Sequence, residues 1–150
     1  MARAIQLSID NVNSGRGGPF GAVVVKDGAI IAEGANQVTS TNDPTAHAEM
    51  VAIREACKKL NAFDLEGCEI YTSCEPCPMC LGAIYWARLS RVYFANADAD
   101  ASRIGFDDSV IYRELAQPHS QRKIPMIQIM REQALTAFRA WEKKTNKIEY

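Results

Sequence analysis

Two short stretches of this chain carry residue types that can do chemistry together. Cys74-Glu75-Pro76-Cys77-Pro78-Met79-Cys80 supplies closely spaced thiols, and Thr45-Ala46-His47-Ala48-Glu49-Met50 supplies an imidazole with a carboxylate two residues later. One His and two Cys make a three-ligand zinc site. A catalytic zinc keeps three protein ligands and leaves its fourth position to water, whereas a structural zinc closes the tetrahedron with a fourth ligand. Zinc lowers the pKa of water from 15.7 to about 7, which supplies hydroxide at neutral pH. Hydroxide can add to an electron-poor ring carbon that bears an amino group. The amine leaves only once protonated, so an acid/base must carry protons from water to the ring and then to the amine. Glu49 has the chemistry for that shuttle, and the sum is hydrolytic deamination.

The assignment within each stretch has competitors. Cys77 and Cys80 are three apart, share a face at the start of a predicted helix and gain thiolate character there, so they are the expected pair. Cys74 competes, because Cys74 and Cys77 have the same spacing, but it falls before Pro76 at a strand end. His47 alone would read as an ordinary core histidine; beside the cysteines it reads as a ligand. Glu49 also reads as a favourable acid in the first turn of a helix. Residues two apart on a helix point about 160° apart, so His47 and Glu49 would flank a pocket with Ala48 between them. Ala48 is small enough for a flat ligand to approach its backbone.

The elements that position these residues follow from periodicity. Residues 2–13 carry Ala4, Ile5, Ile9 and Val12 at helical spacing, and Gly15 to Pro19 end that helix. Phe20 to Val25 reads as a buried strand, Asp27-Gly28 as a hairpin turn and Ala29 to Ala32 as its partner. Residues 35–44 read as a loop ending in Asn42-Asp43-Pro44, a helix start with a cap and a proline. The helix that follows runs to about Leu60, with Ala46, Met50, Ile53, Cys57 and Leu60 on its packing stripe and Arg54, Glu55, Lys58 and Lys59 facing away. Cys68 to Ser73 is a strand, Cys77 to about Arg88 a helix and Arg91 to Ala95 a strand. Ser109 to Ala116 is a short helix, Met126 to Met130 a candidate fifth strand, and Glu132 to Lys144 a last helix with Leu135, Phe138 and Trp141 along one side. Alternating strands and helices predict a single layered α/β domain over residues 1–150.

Composition bounds the rest. The 150 residues hold 17 basic and 18 acidic side chains, a balance that argues against a dedicated polyanion binder. Five cysteines, an odd number with three clustered, point to metal or catalytic use in a reducing compartment rather than to a disulfide framework. Cys57 and Cys68 read as small core residues. No apolar run reaches the roughly 18 residues of a membrane span and no signal-peptide pattern opens the chain, so a cytoplasmic location is expected.

The pairing of His-x-Glu with Pro-Cys-x-x-Cys is the signature of zinc-dependent base deaminases. More specifically, the chain resembles the bacterial guanine deaminases of the cytidine-deaminase fold. The resemblance runs through Gly17 to Gly21, Asn42 to Glu49, Tyr71 to Ala83, Tyr85 to Arg88, Gly105 to Ser109 and the final Tyr150. It implies a three-layer α-β-α domain with a mixed five-stranded sheet, and one catalytic zinc per subunit held by His47, Cys77 and Cys80. Glu49 would serve as the proton shuttle in guanine hydrolysis to xanthine and ammonia, a step of purine catabolism and salvage. By the same resemblance, Asn36 and the backbone of Ala48 would hold the purine's polar edge. Phe20 and Trp86 would line the ring, and Asp108 and Tyr150 would read the far edge. It further implies a homodimer that exchanges its C-terminal segment, with Tyr150 completing the partner's pocket.

Three other readings share these residues. A tRNA adenosine deaminase would use the same zinc chemistry, and residues 121–150, with seven Lys or Arg against three Glu, are mildly basic. Those charges interleave with apolar helical positions, and near-neutral overall charge suits a small uncharged purine better, so no nucleic-acid partner is expected. Cytosine is a rival substrate. A zinc-stabilised binding module without catalysis would not require Glu49.

Overall fold

The computed structural model describes residues 1–149, and the chain divides into two compact units, Met1–Asp108 and Ser109–Tyr150. The first unit is built on one sheet. Its strands are β1 (Gly21–Lys26), β2 (Ala29–Ala35), β3 (Cys68–Cys74) and β4 (Arg91–Asn96), in the order β2-β1-β3-β4. β1 runs antiparallel to both neighbours, and β3 and β4 are parallel. The β1–β2 hairpin closes on Asp27 and Gly28, whose φ angles of 50° and 78° are the pair a two-residue primed turn requires.

Helix α1 (Ala2–Ser14) ends on Gly15 in the left-handed conformation and packs where Gly21 opens β1. A Cβ on Gly21 would meet the Ala4 carbonyl. Helix α2 (Val38–Thr41) is a single turn inside the stretch expected to be loop. Helix α3 (Ala48–Leu60) covers the other side of the sheet: a Cβ on Gly34, the cross-strand partner of Ala22, would lie 2.2 Å from the Ala48 carbonyl. The buried face of α3 is Ala48, Glu49, Ala52, Ile53 and Ala56, so alanines rather than the larger residues of the expected stripe set its close approach. Helix α4 (Pro78–Trp86) joins the same core, in which Ile84 and Ala87 pack with Ala22, Val24, Ile70 and Ala52. Helix α5 (Asp98–Arg103), absent from the expected elements, follows β4. Cys68 is fully buried in that core and Cys57 packs against it.

The helix containing Glu49 starts later than expected. The Asp43 carboxylate accepts hydrogen bonds from the Thr45 N–H and hydroxyl, both under 3 Å, and so caps a turn. Asn42 has left-handed geometry, and the helix proper begins only at Ala48.

The second unit contains α6 (Ser109–Ala116), a 3₁₀ turn (His119–Gln121) and α7 (Arg131–Lys143). Here the expected fifth strand does not form; among the described residues the sheet has four strands. Pro125 removes a backbone donor just ahead of Met126 to Met130, no strand pairs with that run, and Met130 turns left-handed to open α7. Ile127 and Ile129 are 80% and 75% exposed. Val110, Ile111, Leu115, Ile124 and Met126 line an open apolar cavity of about 500 Å³ within this unit. No helix among the described residues is long and apolar enough to cross a membrane.

Candidate active site

The site gathers around the first turns of α3 and α4. His47 precedes α3 in extended conformation (φ −68°, ψ 157°), and Cys77 precedes α4 in the same way (φ −63°, ψ 166°). Both side chains therefore leave the backbone outside helical geometry. The flanking arrangement anticipated for His47 and Glu49 does not arise, because only Glu49 lies on the helix.

His47 Nδ1 is 3.5 Å from Cys77 Sγ and 3.6 Å from Cys80 Sγ. Tetrahedral zinc, with Zn–N near 2.05 Å and Zn–S near 2.3 Å, holds nitrogen and sulfur about 3.6 Å apart. All three ligand atoms lie within 4.8 Å of one another, and among the described residues no other such cluster of His, Cys, Asp or Glu occurs. The donor set and its spacing thus fit zinc. Cys74 stands outside it. Its sulfur faces the Ala97 carbonyl at 3.9 Å, and burial pushes its thiol up to about 11, the wrong direction for a metal-binding thiolate.

The charges in the cluster are strongly linked. Hydrogen bonding from the Cys80 thiol and from His47 holds Cys77 well below an ordinary thiol, while the negative Cys77 and burial keep Cys80 protonated. A metal takes both sulfurs as thiolates, so a cation between them would favour loss of the Cys80 proton. Hydrogen bonding to Cys77 raises His47. Glu49 is only 7% exposed, and burial, reinforced by the negative Cys77, pushes its carboxyl above the usual range. A carboxyl that readily carries a proton beside the metal ligands is suited to general acid/base work.

Other expected site residues fall into two groups. Asn36, buried before α2, accepts the Gly18 and Val38 N–H groups on Oδ1, both at 3.3 Å, which turns its Nδ2 donor away from those amides. Ala48 is the first residue of α3, where N–H groups have no intrahelical acceptor. Phe20 lies just before β1 rather than within it. Asp108 is half-buried, and burial with the negative Cys77 raises its carboxyl, which puts it within electrostatic reach of the ligand cluster. Trp86 ends α4, about 9 Å along the axis from Cys80, and is 71% exposed. Tyr150 lies outside the described residues.

One neighbour of the site was not singled out from sequence. Phe106 meets Phe20 edge-on, with ring centroids 4.9 Å apart. Its position two residues before Asp108 was the available signal.

Comparison with known proteins agrees with this geometry. Residues 1–96 match the family described as the cytidine and deoxycytidylate deaminase zinc-binding region. The chain belongs to this family. It is 58% identical to a guanine deaminase of Bacillus subtilis over 150 residues, covering 100% of this chain and 96% of that one. The X-ray structure of that Bacillus enzyme superimposes with a TM-score of 0.96, covering 99% and 95% of the two chains. A guanine deaminase structure from Nitrosomonas europaea aligns at 36% identity and a TM-score of 0.68 over 71% of this chain and 62% of that one. A tRNA-specific adenosine deaminase of Aquifex aeolicus is 51% identical over 80 residues, 53% of each chain. As a member of this deaminase family the chain is a zinc enzyme, with His47, Cys77 and Cys80 as the group that can hold the ion.

Proposed function

We propose that this chain hydrolyses guanine to xanthine and ammonia. The observation that carries the reading is similarity to a guanine deaminase along the entire chain, through the Gly105–Ser109 loop and α7. The tRNA-specific adenosine deaminase of Aquifex aeolicus matches only 53% of the chain. That match supports shared zinc chemistry and favours no RNA substrate.

When bound by His47, Cys77 and Cys80, zinc supplies a water acidic enough to attack at neutral pH. The protein's own part is proton transfer and orientation. Glu49 takes one proton from the attacking water as the new C2–O bond forms and passes it to the adjacent ring nitrogen. It then takes the second from the new C2 hydroxyl and delivers it to the exocyclic amine as the C2–N bond breaks and the C2 carbonyl forms. The loss is ammonia, and the remaining ring is xanthine. Burial raises the Glu49 carboxyl above its ordinary range, which favours its taking up a proton from water. Asn36 Nδ2 and the Ala48 N–H are assigned to the purine's polar edge. Phe20 and Trp86 are assigned to the ring walls, and Asp108 and Tyr150 to the far edge.

The subunit is read as one deaminase domain whose C-terminal segment crosses to a partner in a homodimer, in the cytoplasm. Supporting the dimer are large apolar side chains exposed on each unit: Tyr85 and Phe94 on the first, Ile124, Ile127 and Phe138 on the second. The test is spectroscopic. Incubation with guanine should convert its ultraviolet spectrum to that of xanthine, while adenine, cytosine and tRNA run in parallel stay unchanged. Conversion of tRNA or cytosine with guanine untouched would reject the reading.

A further inference from the structure

We propose that Asn11, on the inner face of α1, is a positioning residue for the purine edge through Asn36. The inference rests on the assignment of Asn36 to substrate. Asn11 is an amide inside a helix and 3% exposed, where an apolar residue would ordinarily sit. Its Nδ2 spends both hydrogens on carbonyls, Gly18 O at 2.8 Å and Asn36 O at 2.9 Å.

Those two carbonyls belong to residues that interlock the substrate side of the pocket. The Gly18 N–H donates back to Asn36 Oδ1, the Phe20 N–H donates to Gly18 O at 2.8 Å, and the Asn36 N–H donates to Phe20 O at 3.1 Å. One amide on α1 therefore closes a ring through Gly18, Phe20 and Asn36. The packing has no slack at this point, since a Cβ on Gly17 would lie 2.2 Å from Asn36 O and 2.9 Å from Asn11 Nδ2. The Asn36 Oδ1 contacts are both long, at 3.3 Å, so the aim of its Nδ2 depends on where the backbone of Gly18 and Asn36 is held. Asn11 fixes that backbone with both hydrogens of its Nδ2.

Asn11→Leu keeps the volume and removes both donors. It should raise KM for guanine about tenfold, the order expected when the two hydrogen bonds are lost together. Zinc content should be unchanged, and kcat should move far less than KM. The deciding measurement is a double-mutant cycle on guanine KM with Asn36→Ala. If Asn11 acts through Asn36, adding Asn11→Leu to Asn36→Ala costs nothing further in KM; a merely structural role would add its full penalty in both backgrounds. Should Asn11→Leu fail to fold, Asn11→Asp, which keeps the shape and presents oxygens to the two carbonyls, takes its place in the cycle. Additive penalties, or an unchanged KM in the single variant while Asn36→Ala weakens binding, would overturn the role of Asn11. An unchanged KM in Asn36→Ala would instead remove the assignment of Asn36 itself, and this inference with it.

Discussion

Each side chain at the metal cluster makes a separate, measurable demand. Glu49→Gln removes the proton carrier but none of the three ligands, so zinc should stay stoichiometric by elemental analysis. Turnover should fall by about 10²–10⁴-fold, the usual share of general acid/base catalysis; a near-normal rate would take Glu49 out of the reaction. Cys74→Ala should retain both zinc and rate, because its neutral thiol faces Ala97 and not His47. Cys77→Ala should lose both. Sequence spacing brought His47, Cys77 and Cys80 together correctly, since ligand type and chelate spacing are local. It could not tell in which direction His47 points. That depends on Asp43, which reads as a helix cap but caps a turn with Thr45 and so delays α3 until Ala48. Asn11 was illegible for a related reason: an amide in a helix declares its purpose only when the two carbonyls it reaches, one 25 residues away, are known.

At the scale of elements, the site depends on how closely α3 lies on the sheet. Gly34→Ala would drive a methyl group into the Ala48 carbonyl at the start of α3. A cost of about 1–3 kcal/mol in urea unfolding is expected for such overpacking, and an unperturbed midpoint would mean that α3 has more freedom than its packing indicates. On the other side of the sheet, Arg3 of α1 holds Glu33 of β2 through two hydrogen bonds of 2.8 and 2.6 Å. The Arg3 guanidinium lowers the Glu33 carboxyl below its ordinary value of 4.5. A group whose pKa is depressed on folding stabilises the fold above its unfolded pKa, and that contribution is lost as pH falls through the lowered folded value. The difference in urea midpoint between the wild type and Glu33→Gln should therefore be present at pH 7 and vanish in strong acid. Both side chains are more than a third exposed, so the difference should be small and shrink in 1 M salt. A difference that grows on acidification would contradict the sign. The strands and long helices were legible because their periodicity is local. The fifth strand was not, because an apolar run such as Met126 to Met130 becomes a strand only if another strand offers it hydrogen bonds.

On the scale of the molecule, neither the division at Asp108 nor the exposed apolar side chains could be read from composition, which is that of an ordinary globular chain. Sedimentation should show a dimer, and deletion of Tyr150 should weaken guanine turnover more than it lowers the melting temperature; unchanged kinetics would dismiss the exchanged tail. A chelator should lower the melting temperature as well as the activity, because an ion that binds only the folded state stabilises it. The most direct test is X-ray absorption at the zinc edge of purified, guanine-active enzyme. The expected result is one zinc per chain with two sulfurs at about 2.3 Å and the remaining ligands nitrogen or oxygen near 2.0 Å. A third sulfur in that shell, or full activity from metal-free protein, would contradict an open His47–Cys77–Cys80 zinc site as the seat of the reaction.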